Sequence, residues 1–227
     1  NIINAGKLYK VTYWVEDTYH SNKKPVVFEP TGSCIEKNKV FVINNYCFFG
    51  YFPGYKDLPY ELNVTKLPGF FGATSMTRSF SDNYKDIYNA GSYFELHDNP
   101  ILYSVPDTAT VMVNNVRVLL SIYSPNKIVN ASNMISHTKE LFEAQGKYLG
   151  GELPTDRYSI LVYLFKGASK SGSAGALEHF KSTTLSYPEV PEADLIEPFI
   201  DVVSHEFFHI VTPLNIHSRE IGEFDFI

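Results

Sequence analysis

Ser204-His205-Glu206-Phe207-Phe208-His209-Ile210 is the stretch on which the reading of this chain turns. On an α-helix, residues four apart stand one above the other, so His205 and His209 would project from one face, roughly 6 Å apart along the axis. Two imidazoles so placed can hold one metal ion. Zinc suits them because it accepts neutral imidazole nitrogen and keeps an open coordination position, and Glu206 is then set beside the place where a bound water would lie. His205 and His209 are therefore candidate zinc ligands and Glu206 a candidate general base, the layout of a zinc peptidase.

That layout requires a helix. Upstream of the motif, Leu195, Ile196, Phe199, Ile200 and Val203 continue into Phe207, Phe208 and Ile210 with the spacing of a largely buried helix. Asp194 is the expected N-cap, with Glu197 three residues later and Pro198 in or near the first turn. Pro213 should end the helix at about Val211 or Thr212.

The whole chain has 227 residues, 44% of them hydrophobic, enough for a real core in one large domain or two small ones. A net charge of −6 with scattered lysines argues against nucleic acid or an anionic membrane surface as a partner. No apolar run approaches the roughly 20 residues that span a bilayer. A secreted or cell-envelope (periplasmic) setting is the expectation for the compartment. Cys34 and Cys47, the only cysteines, read as free thiols rather than a bridge.

From the N-terminus, residues 7–17 alternate and are rich in β-formers, and further β-like runs follow at Pro25–Phe28, Val40–Asn44, Cys47–Tyr51, Glu61–Leu67 and Ser92–Leu96. Turn signals at Pro53-Gly54, Pro68-Gly69 and Asp98-Asn99-Pro100 separate them. This texture predicts an antiparallel β-sandwich-like N-terminal domain, placed at 1–112, whose many Tyr and Phe residues are core and cross-strand pairs.

The texture changes around Ser104–Val113. Val116–Tyr123 and Arg157–Phe165 read as strands, and Ala131–Tyr148 reads as a helix ending at Gly150-Gly151. Residues 113–227 are thus expected to form an α+β unit, a small sheet backed by helices. Within it, Gly175-Ala176-Leu177-Glu178-His179 reads as an edge strand. Ala176 and Glu178 would point one way, Leu177 and His179 the other, and Gly172 and Gly175 would let a substrate backbone approach. Such an edge beside a zinc site could bind an extended peptide by strand addition, with Glu178 neutralising a free α-amino group. Gly175, Ala176 and Glu178 are accordingly candidate substrate-binding residues.

Gly175–His179, followed by His205-Glu206-Phe207-Phe208-His209, resembles the glycyl aminopeptidase family of gluzincin metallopeptidases, whose members often carry a PDZ domain. Asp86-Ile87-Tyr88-Asn89-Ala90, Asp98-Asn99-Pro100-Ile101-Leu102 and Tyr148-Leu149-Gly150-Gly151 are similar to that family as well. The resemblance implies an N-terminal β domain before a thermolysin-like zinc peptidase domain, of which 113–227 would be the front, incomplete part. It implies one zinc ion on His205 and His209, Glu206 as general base, Glu178 holding the N-terminal amine, and Asp98 and Asn99 reaching the cleft. It also implies a peptide substrate with a free, small N-terminal residue, glycine above all, and a possible C-terminal PDZ domain in a longer chain. The third zinc ligand is expected beyond residue 227, because Glu220 and Glu223 fall short of the family's spacing. The segment 212–220 also lacks the family's frequent Trp-Asn and basic run. The fragment alone is therefore expected to be inactive. The alternative is a non-catalytic module that binds peptide or glycan and carries a vestigial metal site.

Overall fold

The computed structural model describes residues 10–216 and residue 218. The elements of the first half are β1 (Cys34–Glu36), β2 (Val40–Ile43), α1 (Asn45–Phe48), β3 (Tyr60–Thr65), β4 (Phe71–Ala73), β5 (Thr77–Ser81), β6 (Lys85–Ala90), α2 (Tyr93–His97) and β7 (Ile101–Ser104). The second half contains β8 (Thr108–Val113), β9 (Val116–Tyr123), α3 (Ala131–Tyr148), β10 (Arg157–Phe165), β11 (Gly175–His179), β12 (Ser182–Pro188) and α4 (Glu192–Phe208).

The strands form three sheets, ordered β1-β2-β7-β4, β3-β6-β5 and β11-β12-β10-β9-β8. The first two are antiparallel throughout and share a cluster around Tyr88, Ile101 and Tyr103, which gives the expected sandwich-like character. The five-stranded sheet is mixed: β9, β10 and β12 run parallel, while β8 and β11 are antiparallel edges. A run such as Tyr158-Ser159-Ile160-Leu161-Val162-Tyr163 is almost wholly buried, which is what a central parallel strand covered on both faces requires.

Alternation along β9 and β10 separates the two faces. Leu120, Ile122, Tyr158, Ile160 and Val162 meet Met134 and Phe142 of α3 and Phe199, Val203 and Phe207 of α4. Leu119, Leu161, Tyr163 and Phe165 meet Cys34, Val40, Val42 and Leu102 of the N-terminal sheet. The five-stranded sheet is therefore the middle of three layers. Its first strand, β8, begins at Thr108 and pairs with β9 through Val113, so the residue-112 boundary drawn from the sequence lies inside this hairpin.

Strands β9 and β10 and helix α3 have the bounds that the sequence predicts. Helix α3 is capped by Asn130, whose Oδ1 accepts from Asn133 N at 3.0 Å, and closes where Gly151 N donates to Gly146 O at 2.7 Å. Gly150 and Gly151 sit at φ 93° and 106°, which suits a helix C-terminus ended by glycine.

The first half differs from the expectation in several places. Residues 10–17 are irregular, with no partner strand; Trp14 is 95% exposed, so the alternating pattern there buries no face. Residues 7–9 lie outside the described residues. Pro25–Phe28 is irregular too and leads into a 3-10 turn at Glu29–Thr31. Part of Cys47–Tyr51 is the end of α1 rather than a strand. Ser92–Leu96 is helical: Ser92 Oγ accepts from Glu95 N at 3.2 Å and Glu95 reaches back to Gly91 N at 2.6 Å, so Ser-Tyr-Phe-Glu is close to a capping box. Helix α4 starts at Glu192, after Pro191 and without a side-chain cap, so Asp194 is not the N-cap and Pro198 is interior. Cys34 and Cys47 are free, the first buried.

Candidate functional site

The last turns of α4 carry the motif. Val203 and Phe207 are buried against the five-stranded sheet, and Phe207 packs on Phe142 and Tyr158 with ring centroids 4.5 and 5.1 Å apart. That anchoring turns the opposite side of the helix, with His205 and His209, outward. Their Nε2 atoms are 3.2 Å apart and their rings meet edge to face, with centroids 4.9 Å apart. His209 Nδ1 lies 3.1 Å from Thr212 O, a contact that fixes the ring and leaves Nε2 to face His205.

Two nitrogens bound to one tetrahedral zinc ion stand roughly 3.3 Å apart, given zinc–nitrogen bonds near 2.0–2.1 Å. The separation of the histidine pair therefore matches that of two ligands on one ion. Glu206 is only 8% exposed, and its Oε2 has no hydrogen-bond partner. A buried orphan acceptor beside two imidazoles is costly unless a ligand or a proton satisfies it. Burial, with Glu178 adding to it, raises the affinity of the Glu206 carboxyl for its proton above the ordinary range, against the pull of His209, His205 and His179. The rise favours a proton-accepting role.

Glu178 comes from β11, the edge strand of the sheet. Pairing of Glu178 with Thr183, and of Thr183 with Ile160, turns its side chain to the helix-covered face. Carboxylate oxygens of Glu178 and Glu206 and a ring nitrogen of His209 all lie within 4.8 Å of one another. The structure thus brings His209, Glu206 and Glu178 into one cluster, and His205 joins it through His209, its Nε2 3.2 Å from that of His209. Ala176, on the same face as Glu178, packs against the core cluster beneath α4. At Gly175 a Cβ would stand 2.8 Å from Phe28 Cζ, so the glycine accommodates that ring.

His179 points the other way and is a fully bonded core residue. Its Nδ1 is 2.9 Å from Asp98 Oδ1, its Nε2 is 3.3 Å from Thr184 Oγ1, and its ring stacks on Tyr46. Phe180 N also donates to Asp98 O at 3.2 Å, so the end of β11 is tied to the turn after α2. Asp98 thereby reaches the strand that carries Glu178, whereas Asn99 is buried and donates to Glu95 O at 2.6 Å. Tyr158 was not singled out in the sequence. Its buried hydroxyl has no partner, and burial together with the charges of Glu206 and Glu178 keeps the phenol neutral. In the sequence it is one more aromatic on an apolar strand. His217, Glu220 and Glu223 lie outside the described residues.

Residues 1–105 match the family model of the peptidase M61 N-terminal domain. The N-terminal region is glycyl aminopeptidase-like. The chain is also similar in fold to a crystal structure described as an aminopeptidase N family protein from Idiomarina loihiensis, with a TM-score of 0.67 and 22% identity over 78% of this chain. The chain spans 31% of that structure's length. No curated protein matches it. These findings relate the chain to peptidases. The M61-like region ends just before β8, and the histidine motif lies outside it.

Proposed function

We propose that this chain carries the helix and edge strand of a zinc-dependent aminopeptidase site, in the front part of a thermolysin-like catalytic domain. The observation that carries the reading is the pair of Nε2 atoms 3.2 Å apart at the C-terminal end of α4, with Glu206, whose buried Oε2 has no partner, between them in sequence and Glu178 of β11 within reach of Glu206 and His209. His205 and His209 would hold the ion. Bound there, zinc supplies a Lewis acid for the scissile carbonyl and acidifies water.

Glu206 accepts the proton of the attacking water and passes it to the leaving amine. Its buried setting suits both halves of that task, because the raised proton affinity keeps the protonated form accessible. Glu178 pairs with the ammonium group of the substrate, which places the first peptide bond at the metal and excludes internal bonds. The free edge of β11 offers the backbone groups that align an extended peptide. A small first residue, glycine in particular, is the substrate that the family resemblance favours.

The test uses the full-length protein. Elemental analysis should find one zinc per chain, and a glycyl chromogenic amide should be hydrolysed. Glu206→Gln should keep the zinc and lose activity by about 10²–10⁴-fold, the usual contribution of a general base. Wild-type protein with neither zinc nor cleavage would sink the proposal and leave a binding module.

A further inference from the structure

The five-stranded sheet also borders a cavity, on the face opposite the histidine motif. It measures about 350 Å³, within the range of small-molecule sites. One wall is the β4–β5 connection and the other is the first residues of β9 and β10. Arg78, Arg117 and Arg157 line it, together with the hydroxyl residues Thr74, Ser75 and Thr77, and no Asp or Glu does.

Arg117 and Arg157 are register partners on neighbouring parallel strands. Like charges placed directly opposite repel, so this pair calls for a counter-charge. The nearby carboxylates are already committed. Asp156 holds Arg157 Nε at 2.9 Å and Lys181 Nζ at 2.5 Å, while Asp86 holds Lys66 Nζ at 2.8 Å and lies 3.9 Å from Arg78 Nε. Four cations thus share two carboxylates, with Arg117 beside them as a fifth positive charge, in a protein whose net charge is −6. The Arg117 side chain has no hydrogen-bond or ion-pair partner among the described residues. Arg78 is fixed in place over the rings of Phe71 and Tyr88, 4.6 and 5.2 Å from their centroids, and donates to Gly72 O. Its buried Nε has no hydrogen-bond acceptor.

We propose that this cavity binds a phosphate group carried on a small molecule. A doubly charged oxoanion offsets most of the local excess. Guanidinium forks match its oxygens pairwise, and flanking hydroxyls can take those left over. A ligand held by Arg78 on one wall and by Arg117 and Arg157 on the other fastens the N-terminal layer to the five-stranded sheet.

Calorimetric titration of the full-length protein with inorganic phosphate, at constant ionic strength, tests this. One saturable site in the millimolar range or tighter is expected, with phosphate raising the thermal midpoint. Arg117→Ala removes an exposed side chain that holds no part of the fold. It should weaken binding at least about tenfold and abolish the thermal shift, with Arg117→Lys intermediate. Lys139→Ala, on the far side of α3, should change nothing. Absence of saturable binding, or equal affinity in Arg117→Ala, would overturn the proposal; the latter would also be the sign of phosphate held at the histidine motif instead.

Discussion

Glu178 is a carboxylate within reach of a histidine and of a second carboxylate, and such a group can either hold a metal ion or hold a substrate amine. The two roles separate cleanly on substitution. If Glu178 anchors the α-amino group, Glu178→Gln keeps stoichiometric zinc while KM for a glycyl amide rises steeply; loss of the metal would instead make it a ligand. Gly175, three residues earlier, shows how a single position can carry a reason that sequence does not display. A glycine beside a peptide-binding edge reads as room for substrate, yet the space its missing Cβ leaves is taken by Phe28. Gly175→Ala is expected to cost about 1–3 kcal/mol by overpacking. Phe28→Leu in that background should recover part of the loss in urea unfolding, and no recovery would mean that the strain lies elsewhere.

Legibility of the elements followed the environment of each. Val116–Tyr123, Ala131–Tyr148 and Arg157–Phe165 form one strand-helix-strand unit whose burial pattern is local and regular, and the sequence predicts their bounds. The histidine helix was readable for the same reason, though its ends were not: Pro191 opens it without a side-chain cap, and it closes at Phe208, before the Val211 or Thr212 expected from Pro213. The first half is built from strands of three to six residues held by polar contacts between elements, which periodicity does not register. The three-stranded sheet is a case in point. Asp86 on β6 is fully buried; Lys66, just past β3, and Ser81 on β5 hold it at 2.8 and 2.6 Å, and Tyr103 donates at 2.9 Å. Burial pushes the Asp86 carboxyl up, but these hydrogen bonds and the Arg78 charge outweigh it and hold it below the usual carboxylate range. A carboxyl lowered on folding adds stability that is present above its unfolded value near 4 and is lost as the pH falls through the folded one. Asp86→Asn should therefore flatten the acid limb of the stability–pH curve. Lys66→Met strands the buried charge and should cost about 3–5 kcal/mol at neutral pH, measured by denaturant unfolding.

At the scale of the molecule, the sequence suggested a β domain followed by an α+β one, and the sheets do segregate that way along the chain. What it could not show is the extent of contact between them. Leu119, Leu161, Tyr163 and Phe165 of the central sheet share a core with Cys34, Val40, Val42 and Leu102. Ser75 Oγ donates across the junction to Ser159 Oγ at 2.9 Å, and Asp98 clamps the buried His179 at the end of β11. Strand patterns announce that a face is apolar but not which layer covers it. Because the N-terminal sheet loses its apolar partner when β9 and β10 are removed, residues 1–105 expressed alone should expose that face, bind a hydrophobic dye and unfold without a sharp transition. Leu161→Ala in the 227-residue chain, a truncation at the shared core, should cost about 2–5 kcal/mol and shift both halves together, as read by site-specific probes on β2 and α3. Two separate transitions would show instead that the layers fold independently, and the edge strand carrying Glu178 would then owe its position to β12 alone.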